Sequence, residues 1–374
     1  MNVLQLVSCR GWSSDAYWAT RVSRELERRG HTVTLGCRAG TEAKVIGRAR
    51  REGLGRIDVF AFATGVRATA DAGDLRHLGR ALREAHVVHV HRGKEHWLAA
   101  IANRVTGLRR PLVRTRHIVQ AVRSSASNRW LYRRATDAVI TVSDAIRGQY
   151  IASGLLPEAR VMTLHGGVDA ELFCERAVDP ALRARLGGID GEPLVGMVAG
   201  FRAMKGHATV VDATARLEPA GQAPHVVFVG QGRDEDRIRA LVKDRGVAAR
   251  ITVAGFAPDV PEVMASLDVG LYVPLESEGM SRVVFEYLAT GRALVASRTG
   301  AVPEILHDGE DALLVPAGDA AALAEAIGRL VRDPALRTRL GRAGRRLVET
   351  HYSGARVAER LEALYETLVT RRDR

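Results

Sequence analysis

The chain has 374 residues, enough for two domains of ordinary size. Its 46% hydrophobic and 26% charged residues are typical of a globular protein and exclude the disordered and fibrous classes. No apolar run approaches the ~18 residues that a membrane-spanning helix needs, and the apolar segment near the N-terminus is too short for a secretory signal. The three cysteines, Cys9, Cys37 and Cys174, follow no metal-ligand spacing. We therefore expect a reduced protein without a metal, cytoplasmic or peripheral at the inner face of the cell membrane.

The excess of positive over negative charge lies entirely in the first half of the chain. Residues 1–165 contain 28 Lys and Arg against 13 Asp and Glu, whereas the remainder contains 27 against 30. This excess predicts an anionic partner for the N-terminal half, namely nucleic acid, anionic lipid or a phosphorylated acceptor molecule. Nucleic acid is the least favoured of the three, because aromatic residues total only 5% of the chain.

Predicted strands and helices alternate through the N-terminal half, which implies a parallel sheet. A helix is expected near residues 16–29, and Ser143 or Asp144 is expected to cap another. Ligands bind open sheets of this kind beyond the carboxyl ends of the strands. Gly11, in the loop after the first strand, is therefore a candidate site residue. The predicted strands are residues 2–7, 32–35, 86–91, 111–117, 138–143 and the start of 161–169.

Two of these strands end in histidines. His89 and His91 share one face of their strand, and His117 ends the next one. No cysteine or paired carboxylate completes a zinc site, so histidines facing a ligand are favoured over a metal site. An arginine-rich segment follows His117, and it is either a solvated helix face or a basic landing surface. Its members are Arg123, Arg129, Arg133 and Arg134. Together with Arg114 and Arg116 they form a basic segment that we expect to meet an anionic acceptor.

The second half begins with a buried strand at 193–199, a turn containing Gly200, and a helix at 208–217. Arg202 and Lys205 in that turn are suited to a diphosphate, Arg by its fork and Lys as a point charge, although both are also ordinary surface residues. Further strands are predicted at 225–232, 251–256, 293–297 and 311–316, and helices at 235–245, 319–331, 335–349 and 354–371. Because Asp234–Asp236 opens a helix, we interpret these carboxylates as capping rather than metal-binding.

The most informative stretch is residues 269–291, which predicts a strand ended by proline, an acidic turn and a helix. Glu278 lies in the turn and Glu286 on the helix. Free backbone N–H groups at 279–281 suit phosphate, and carboxylates suit sugar hydroxyls. The simpler alternative is that Arg282 and Glu286 form only a solvated i,i+4 ion pair.

Together these motifs resemble the retaining glycosyltransferases of family 4, which have the GT-B fold. The resemblance covers the whole chain and is specific mainly between residues 195 and 304. It implies an α/β protein with two Rossmann-like domains facing across a cleft and a C-terminal helix that crosses back to the first domain. The implied boundaries are an acceptor-binding domain at 1–170, a nucleotide-sugar-binding domain at 171–350 and the C-terminal helix at 351–374.

The resemblance also implies roles for individual residues. Glu278 would hold the transferred sugar and Glu286 the ribose, while His117 would lie against the reacting carbon. The implied catalytic set is His117, Arg202, Lys205 and Glu278. The implied donor-binding set is Gly11, Gly200, Arg202, Lys205, Gly255, Phe256, Glu278, Gly279, Met280, Ser281 and Glu286, and the acceptor side is His91, Arg116 and Arg123. Family members usually have two adjacent glycines where this chain has only Gly11.

The implied activity is transfer of a hexose, with retention, from a nucleotide-sugar to an acceptor hydroxyl on a lipid-linked or cell-envelope glycan such as lipopolysaccharide. No metal or other cofactor is expected, and no nucleic acid. An anionic membrane surface is a further candidate partner. The alternatives are a nucleotide-sugar epimerase of the same fold, which would need no acceptor, and a nucleic-acid-binding protein.

Overall fold

The computed structural model describes residues 1–257, 259–277 and 281–373, so the predicted site residues Glu278, Gly279 and Met280 lie outside it. The chain divides into two compact units. The first unit comprises Met1–Gly167 with Gly354–Arg374, and the second comprises Val168–Ser353. The predicted boundaries at residues 170 and 350 lie a few residues from these.

The first unit is built on a parallel sheet of seven described strands in the order β3-β2-β1-β4-β5-β6-β7. The chain therefore reverses its direction of travel across the sheet between β1 and β4, where doubly wound sheets bind ligands beyond the strand ends. The strands are β1 (Asn2–Val7), β2 (Thr32–Arg38), β3 (Ile57–Phe60), β4 (Val87–Val90), β5 (Leu112–Arg116), β6 (Ala138–Thr141) and β7 (Val161–Thr163).

Helices connect these strands and cover the sheet. They are α1 (Ser14–Arg28), α2 (Gly47–Arg51), α3 (Ala68–Glu84), α4 (Gly93–Thr106), α5 (Ala126–Trp130) and α6 (Asp144–Ser153). Ser143 caps α6, since its hydroxyl accepts a hydrogen bond from the Ile146 amide. The sequence patterns did not single out β3, α3 or α4.

The second unit repeats this arrangement with six described strands in the order β10-β9-β8-β11-β12-β13, all parallel. The strands are β8 (Leu194–Val198), β9 (His225–Val229), β10 (Ile251–Gly255), β11 (Val269–Tyr272), β12 (Ala293–Ser297) and β13 (Leu313–Val315). The helices are α7 (Pro180–Arg185), α8 (His207–Leu217), α9 (Glu235–Asp244), α10 (Val260–Ala265), α11 (Arg282–Ala289), α12 (Val302–Ile305), α13 (Ala320–Arg332) and α14 (Pro334–Leu347).

The last helix, α15 (Gly354–Asp373), belongs to the first unit. Its buried side chains Val357, Leu361 and Tyr365 join the hydrophobic core that contains Val3 and Trp18. The prediction of two parallel α/β sheets with the C-terminal helix returning to the first domain is confirmed. One detail differs: Asp234 precedes α9, but its side chain makes no capping hydrogen bond, and Glu235 instead pairs with Arg239.

Among the described residues, no helix combines the length and the apolar character needed to cross a bilayer.

Candidate active site

Three histidines at the carboxyl ends of β4 and β5 pack together in the first unit. The ring centroids of His89 and His91 lie 4.7 Å apart, and those of His91 and His117 lie 5.4 Å apart. Trp18 of α1 contacts all three rings. His91 Nδ1 lies 3.1 Å from His117 Nε2, and His91 Nε2 lies 2.8 Å from Gln5 Oε1. This histidine cluster (His89, His91 and His117) therefore joins two predicted site residues through a direct hydrogen bond.

The histidine cluster is uncharged near neutral pH. Burial lowers the pKa of His89 to about 3 and that of His117 to about 4, and it holds the pKa of His91 well below its usual value. The positive charge of buried Arg114 acts in the same direction on all three rings. Neutral imidazoles offer one donor and one acceptor each, which suits sugar hydroxyls better than phosphate oxygens.

The loop after β1, which contains Gly11, leads into an ion pair between the buried Asp15 and the exposed Arg92. Asp15 in the first turn of α1 accepts hydrogen bonds from Ser13 and from the Arg92 guanidinium. Burial opposes ionisation of Asp15, but these two hydrogen bonds hold the pKa of its carboxyl below its usual value. A side chain at Gly11 would meet no other atom within 4 Å, so the loop leaves open space there. The sequence did not indicate this pair, because Asp15 and Arg92 are 77 residues apart.

A second pair of charged residues, Glu95 on α4 and Arg114 on β5, has both members buried. Glu95 accepts hydrogen bonds from the amides of Arg92, at 2.5 Å, and Ser8, at 3.4 Å. Arg114 is only 3% exposed, and its Nε and Nη1 find no hydrogen-bond partner among the residues that the structure describes. Burial raises the pKa of Glu95 and lowers that of Arg114. The positive charge of Arg114 opposes the shift of the Glu95 pKa, and the negative charge of Glu95 opposes the shift of the Arg114 pKa. Arg114 is therefore an interior residue, and the prediction that placed it in a basic surface segment is wrong on this point.

The other arginines of that segment are less buried. Arg116 donates to the backbone oxygen of Gln120 at 2.9 Å, and Arg123 is exposed. Arg129, Arg133 and Arg134 are also exposed on α5 and the turn that follows it. Of the predicted acceptor-side residues, Arg116 thus ends β5 and Arg123 lies in the loop after it. The arginines that follow Arg123 in this segment face solvent.

In the second unit, a short helical turn follows β8. Of the predicted cations, Arg202 immediately precedes this turn and Lys205 is its last residue. Gly206 ends that turn with a φ of 83°, and a Cβ atom there would lie 2.0 Å from the backbone oxygen of Val273. Only glycine fits this position, so the turn that presents both cations is fixed by close packing against the end of β11. Arg202 is exposed and forms no ion pair within the described part of the chain.

Backbone contacts bring the ends of β8, β9, β10 and β11 to one edge. The Leu275 amide donates to the Met204 oxygen at 2.8 Å, and the Gly230 amide donates to the Gly255 oxygen at 2.7 Å. A Cβ atom at Gly230 would lie 2.1 Å from the oxygen of Ala199, so these loops approach too closely for a side chain. The predicted donor residues Gly200, Gly255 and Phe256 all lie at this edge, and Phe256 is 69% exposed.

Glu286 is buried on α11. Its Oε1 lies 2.9 Å from Arg282 Nε, but its side chain is 6% exposed while that of Arg282 is 49% exposed. The alternative that Arg282 and Glu286 form only a solvated ion pair is therefore wrong for the Glu286 side. The neighbouring Tyr287 hydroxyl accepts from the Val198 amide at 2.7 Å and donates to the Gly196 oxygen at 3.2 Å. These bonds fix α11 to β8, the strand whose end carries Arg202.

Ser281 immediately precedes α11 and makes no side-chain capping hydrogen bond.

Comparison with known proteins agrees with this two-unit architecture. The family model described as Glycosyltransferase Family 4 matches residues 16–172, and the model described as Glycosyl transferases group 1 matches residues 179–347. The chain is 31% identical over 296 residues to a lipopolysaccharide core biosynthesis mannosyltransferase, LpcC, of Rhizobium leguminosarum bv. viciae, covering 77% of this chain and 80% of that protein. The fold and these matches define a two-domain glycosyltransferase, and the chain belongs to the group 1, family 4 glycosyltransferases.

Other relatives match over a shorter stretch. The glycosyltransferase LpsE of Rhizobium meliloti is 30% identical, over 59% of this chain and 62% of its own length. The putative glycosyltransferase EpsD of Bacillus subtilis is also 30% identical, over 62% and 60% respectively. The chain thus spans about three-fifths of each of these two relatives.

Solved structures share the fold over nearly the whole chain. The Anabaena protein HepE in complex with UDP superposes with a TM-score of 0.82 at 19% identity, covering 98% of this chain and all of that one. A glycosyltransferase from Rickettsia africae superposes with a TM-score of 0.85 at 17% identity, covering 98% of each chain. At these identities the likeness concerns the fold, which is GT-B.

Proposed function

We propose that this protein transfers a hexose, with retention of configuration, from a nucleotide-sugar to a hydroxyl of a lipid-linked or cell-envelope glycan. The observation that carries the proposal is in the second unit, where Arg202 and Lys205 lie in the turn after β8 and the buried Glu286 lies on α11, the helix that follows β11. Relatives named for lipopolysaccharide core biosynthesis support the acceptor class. None of the relatives or structures named above is described as an epimerase or a nucleic-acid-binding protein.

The donor occupies the second unit in this proposal. Arg202 and Lys205 bind the diphosphate, which is the group that the exposed Arg fork and the Lys point charge recognise best. Glu286 accepts hydrogen bonds from the ribose hydroxyls, and Gly200, Gly255 and Phe256 border the nucleotide. The Anabaena neighbour binds UDP in its solved structure, which supports a nucleotide at this fold's donor site.

The reaction breaks the bond between the sugar's anomeric carbon and the diphosphate oxygen and forms a bond from that carbon to the acceptor oxygen. Negative charge grows on the departing diphosphate, and Arg202, Lys205 and the amides at the start of α11 stabilise it. One such donor is worth about 3 kcal/mol in comparable anion sites. The acceptor attacks on the face from which the diphosphate leaves, and a diphosphate oxygen takes the acceptor's proton. A step of this kind requires no protein nucleophile.

The histidine cluster of the first unit serves the sugar and acceptor. His117 contributes a neutral hydrogen-bonding group, and its contact with His91 sets the orientation of its ring. The exposed arginines after β5 add to the positive charge of this unit, which favours an acceptor embedded in, or associated with, an anionic membrane surface.

Thermal-shift measurements against UDP-, GDP-, ADP- and TDP-sugars test the donor class. A ligand at 100 times its Kd stabilises the folded protein by ~2.7 kcal/mol, which gives a readable shift. Transfer of radiolabelled sugar from the stabilising donor to an envelope extract then tests the acceptor requirement. Stabilisation by no nucleotide-sugar, or release of free nucleotide at the same rate without extract, contradicts the proposal.

A further inference from the structure

Two arginines from different strands converge on one hydroxyl in the first unit. Arg10 follows β1 and its Nη2 donates to Thr64 Oγ1 at 2.6 Å. Arg38 ends β2 and its Nη2 lies 3.3 Å from the same Thr64 oxygen. Two guanidinium groups that share one acceptor atom lie side by side, at the carboxyl ends of β1 to β3. We call Arg10, Arg38 and Thr64 the arginine pair site.

Neither arginine is neutralised. Among the residues that the structure describes, no carboxylate forms an ion pair with Arg10 or Arg38. Other cations at the same edge are paired: Arg92 with Asp15, and Lys94 with Asp71 at 2.5 Å. Like charges held together without a counter-charge repel each other, and an anion between them relieves the repulsion.

The loop that carries Thr64 is held in a strained, defined shape. Phe62 has a φ of 36°, in the left-handed region that a bulky residue rarely adopts. The Ala61 and Phe62 amides each donate to the buried carboxylate of Asp74 at 2.8 Å. Lys94 Nζ donates to the backbone oxygen of Gly65 at 2.7 Å. Strain that the surrounding structure maintains in this way is typical of ligand-binding loops.

We propose that the arginine pair site binds an oxyanion, a phosphate or carboxylate group, carried by the acceptor. Each guanidinium has five N–H donors in a planar fork, and Thr64 accepts from only one nitrogen of each. The remaining donors match the geometry of a phosphate or carboxylate. The assignment of this anion to the acceptor rests on the proposed function, whereas the anion site itself does not.

Binding of inorganic phosphate and of acetate, measured by isothermal titration calorimetry, tests the site. We compare the wild type with a double variant, Arg10→Ala and Arg38→Ala, and with a matched control, Arg104→Ala. Arg104 is exposed in the last turn of α4, far along the chain from the strand ends that form the site. Crystals soaked in selenate locate the anion by anomalous scattering. We expect a selenate peak between Arg10 and Arg38 and an affinity for phosphate at least tenfold lower in the double variant than in the control.

A second variant, Thr64→Val, keeps both charges but removes the shared hydroxyl, and we expect it to weaken phosphate binding severalfold. Tighter binding of phosphate than of acetate indicates a phosphorylated acceptor, and the reverse order indicates a carboxylated one. We expect phosphate to bind the cations of the second unit as well, so the double variant Arg202→Ala and Lys205→Ala is measured alongside. That variant should lose the phosphate binding of the second unit and keep the binding at the arginine pair site.

Unchanged phosphate binding in the Arg10 and Arg38 double variant, with no selenate peak at Thr64, overturns the arginine pair site. Stabilisation by a nucleotide-sugar would be unaffected by that result, so the proposed function would survive it. If instead the arginine pair binds phosphate and no nucleotide-sugar stabilises the protein, the proposed function fails and the anion site stands.

Discussion

The two units share one sheet order but build their ligand edges differently. In the second unit, the edge consists of backbone turns: Gly206 and Gly230 allow loops to touch, and Arg202 and Lys205 belong to the turn that Gly206 ends. In the first unit, the edge consists of side chains that contact each other across the sheet, as in the histidine cluster and the Asp15–Arg92 pair. The comparison teaches that one fold can build the edge beyond its strand ends either from closely packed backbone turns or from side chains that contact each other across the sheet.

The largest expected effect is at the second edge. Lys205→Ala should lower kcat/KM by ~100-fold or more, because it removes a cation that stabilises the departing diphosphate. Steady-state kinetics with the donor found by thermal shift measure this effect. Lys243→Ala, an exposed lysine in the last turn of α9, is the matched control and should leave kcat/KM unchanged. A loss below about threefold for a folded Lys205 variant would remove Lys205 from the mechanism.

The first edge should respond to acid. The pKa values of His89 and His117, about 3 and about 4, lie below the value of 6.5 expected in the unfolded chain. The unfolded chain therefore binds more protons between those values, and stability that is complete above pH 6.5 is lost as the pH falls towards 4. The raised pKa of Glu95 offsets part of this loss, since the folded protein takes up that proton more readily.

Tryptophan fluorescence reports this acid response selectively, because all 4 tryptophans, Trp12, Trp18, Trp97 and Trp130, belong to the first unit. The melting temperature followed by fluorescence should fall steadily from pH 6.5 to 4. A flat profile over this range would show that the histidine cluster is not held neutral by burial.

A moderate effect is expected at Glu286. Glu286→Gln should weaken binding of both the free nucleoside diphosphate and the nucleotide-sugar by ~10-fold, because a hydrogen bond to a charged group is worth about 1.5–3 kcal/mol. Glu278→Gln should instead reduce turnover of the nucleotide-sugar more than binding of the free nucleotide. Calorimetric titrations compare these affinities, and equal affinity of the wild type and the Glu286 variant for free nucleotide would refute the ribose assignment.

A smaller effect, sensitive to salt, is expected at the membrane. Each basic residue near an anionic bilayer contributes ~1 kcal/mol, which fades within a Debye length of about 8–10 Å. Replacing Arg129, Arg133 and Arg134 with Glu should abolish co-sedimentation with anionic vesicles. The same change at three exposed arginines of the second unit, Arg216, Arg237 and Arg342, is the control and should have little effect. If the wild type does not bind anionic vesicles at low salt, the basic first unit has no role at a membrane.

No effect is expected from chelation. Asp234–Asp236 lies at the start of α9, and Glu235 is already paired with Arg239 at 2.8 Å. Turnover should therefore be the same with and without EDTA. Loss of activity in EDTA that magnesium or manganese restores would show that a metal takes part.

The sequence by itself determined the alternation of strands and helices and the donor motifs of the second unit. Those motifs are local: Arg202, Lys205 and Gly206 belong to one turn, and Ser281 and Glu286 to one helix start. Local spacing and local backbone geometry specify such features, so they are visible in a few consecutive residues.

Only the tertiary structure decided the rest. Gln5 meets His91 across 86 residues, Arg92 meets Asp15 across 77, and Arg10 meets Thr64 across 54. Parallel strands bring such distant residues to one edge, and their order in the sheet, which local periodicity does not encode, selects the neighbours. Burial has the same origin: Arg282 and Glu286 form the i,i+4 pair expected from sequence, but the burial of Glu286, whose side chain is 6% exposed, depends on how the folded chain packs around α11.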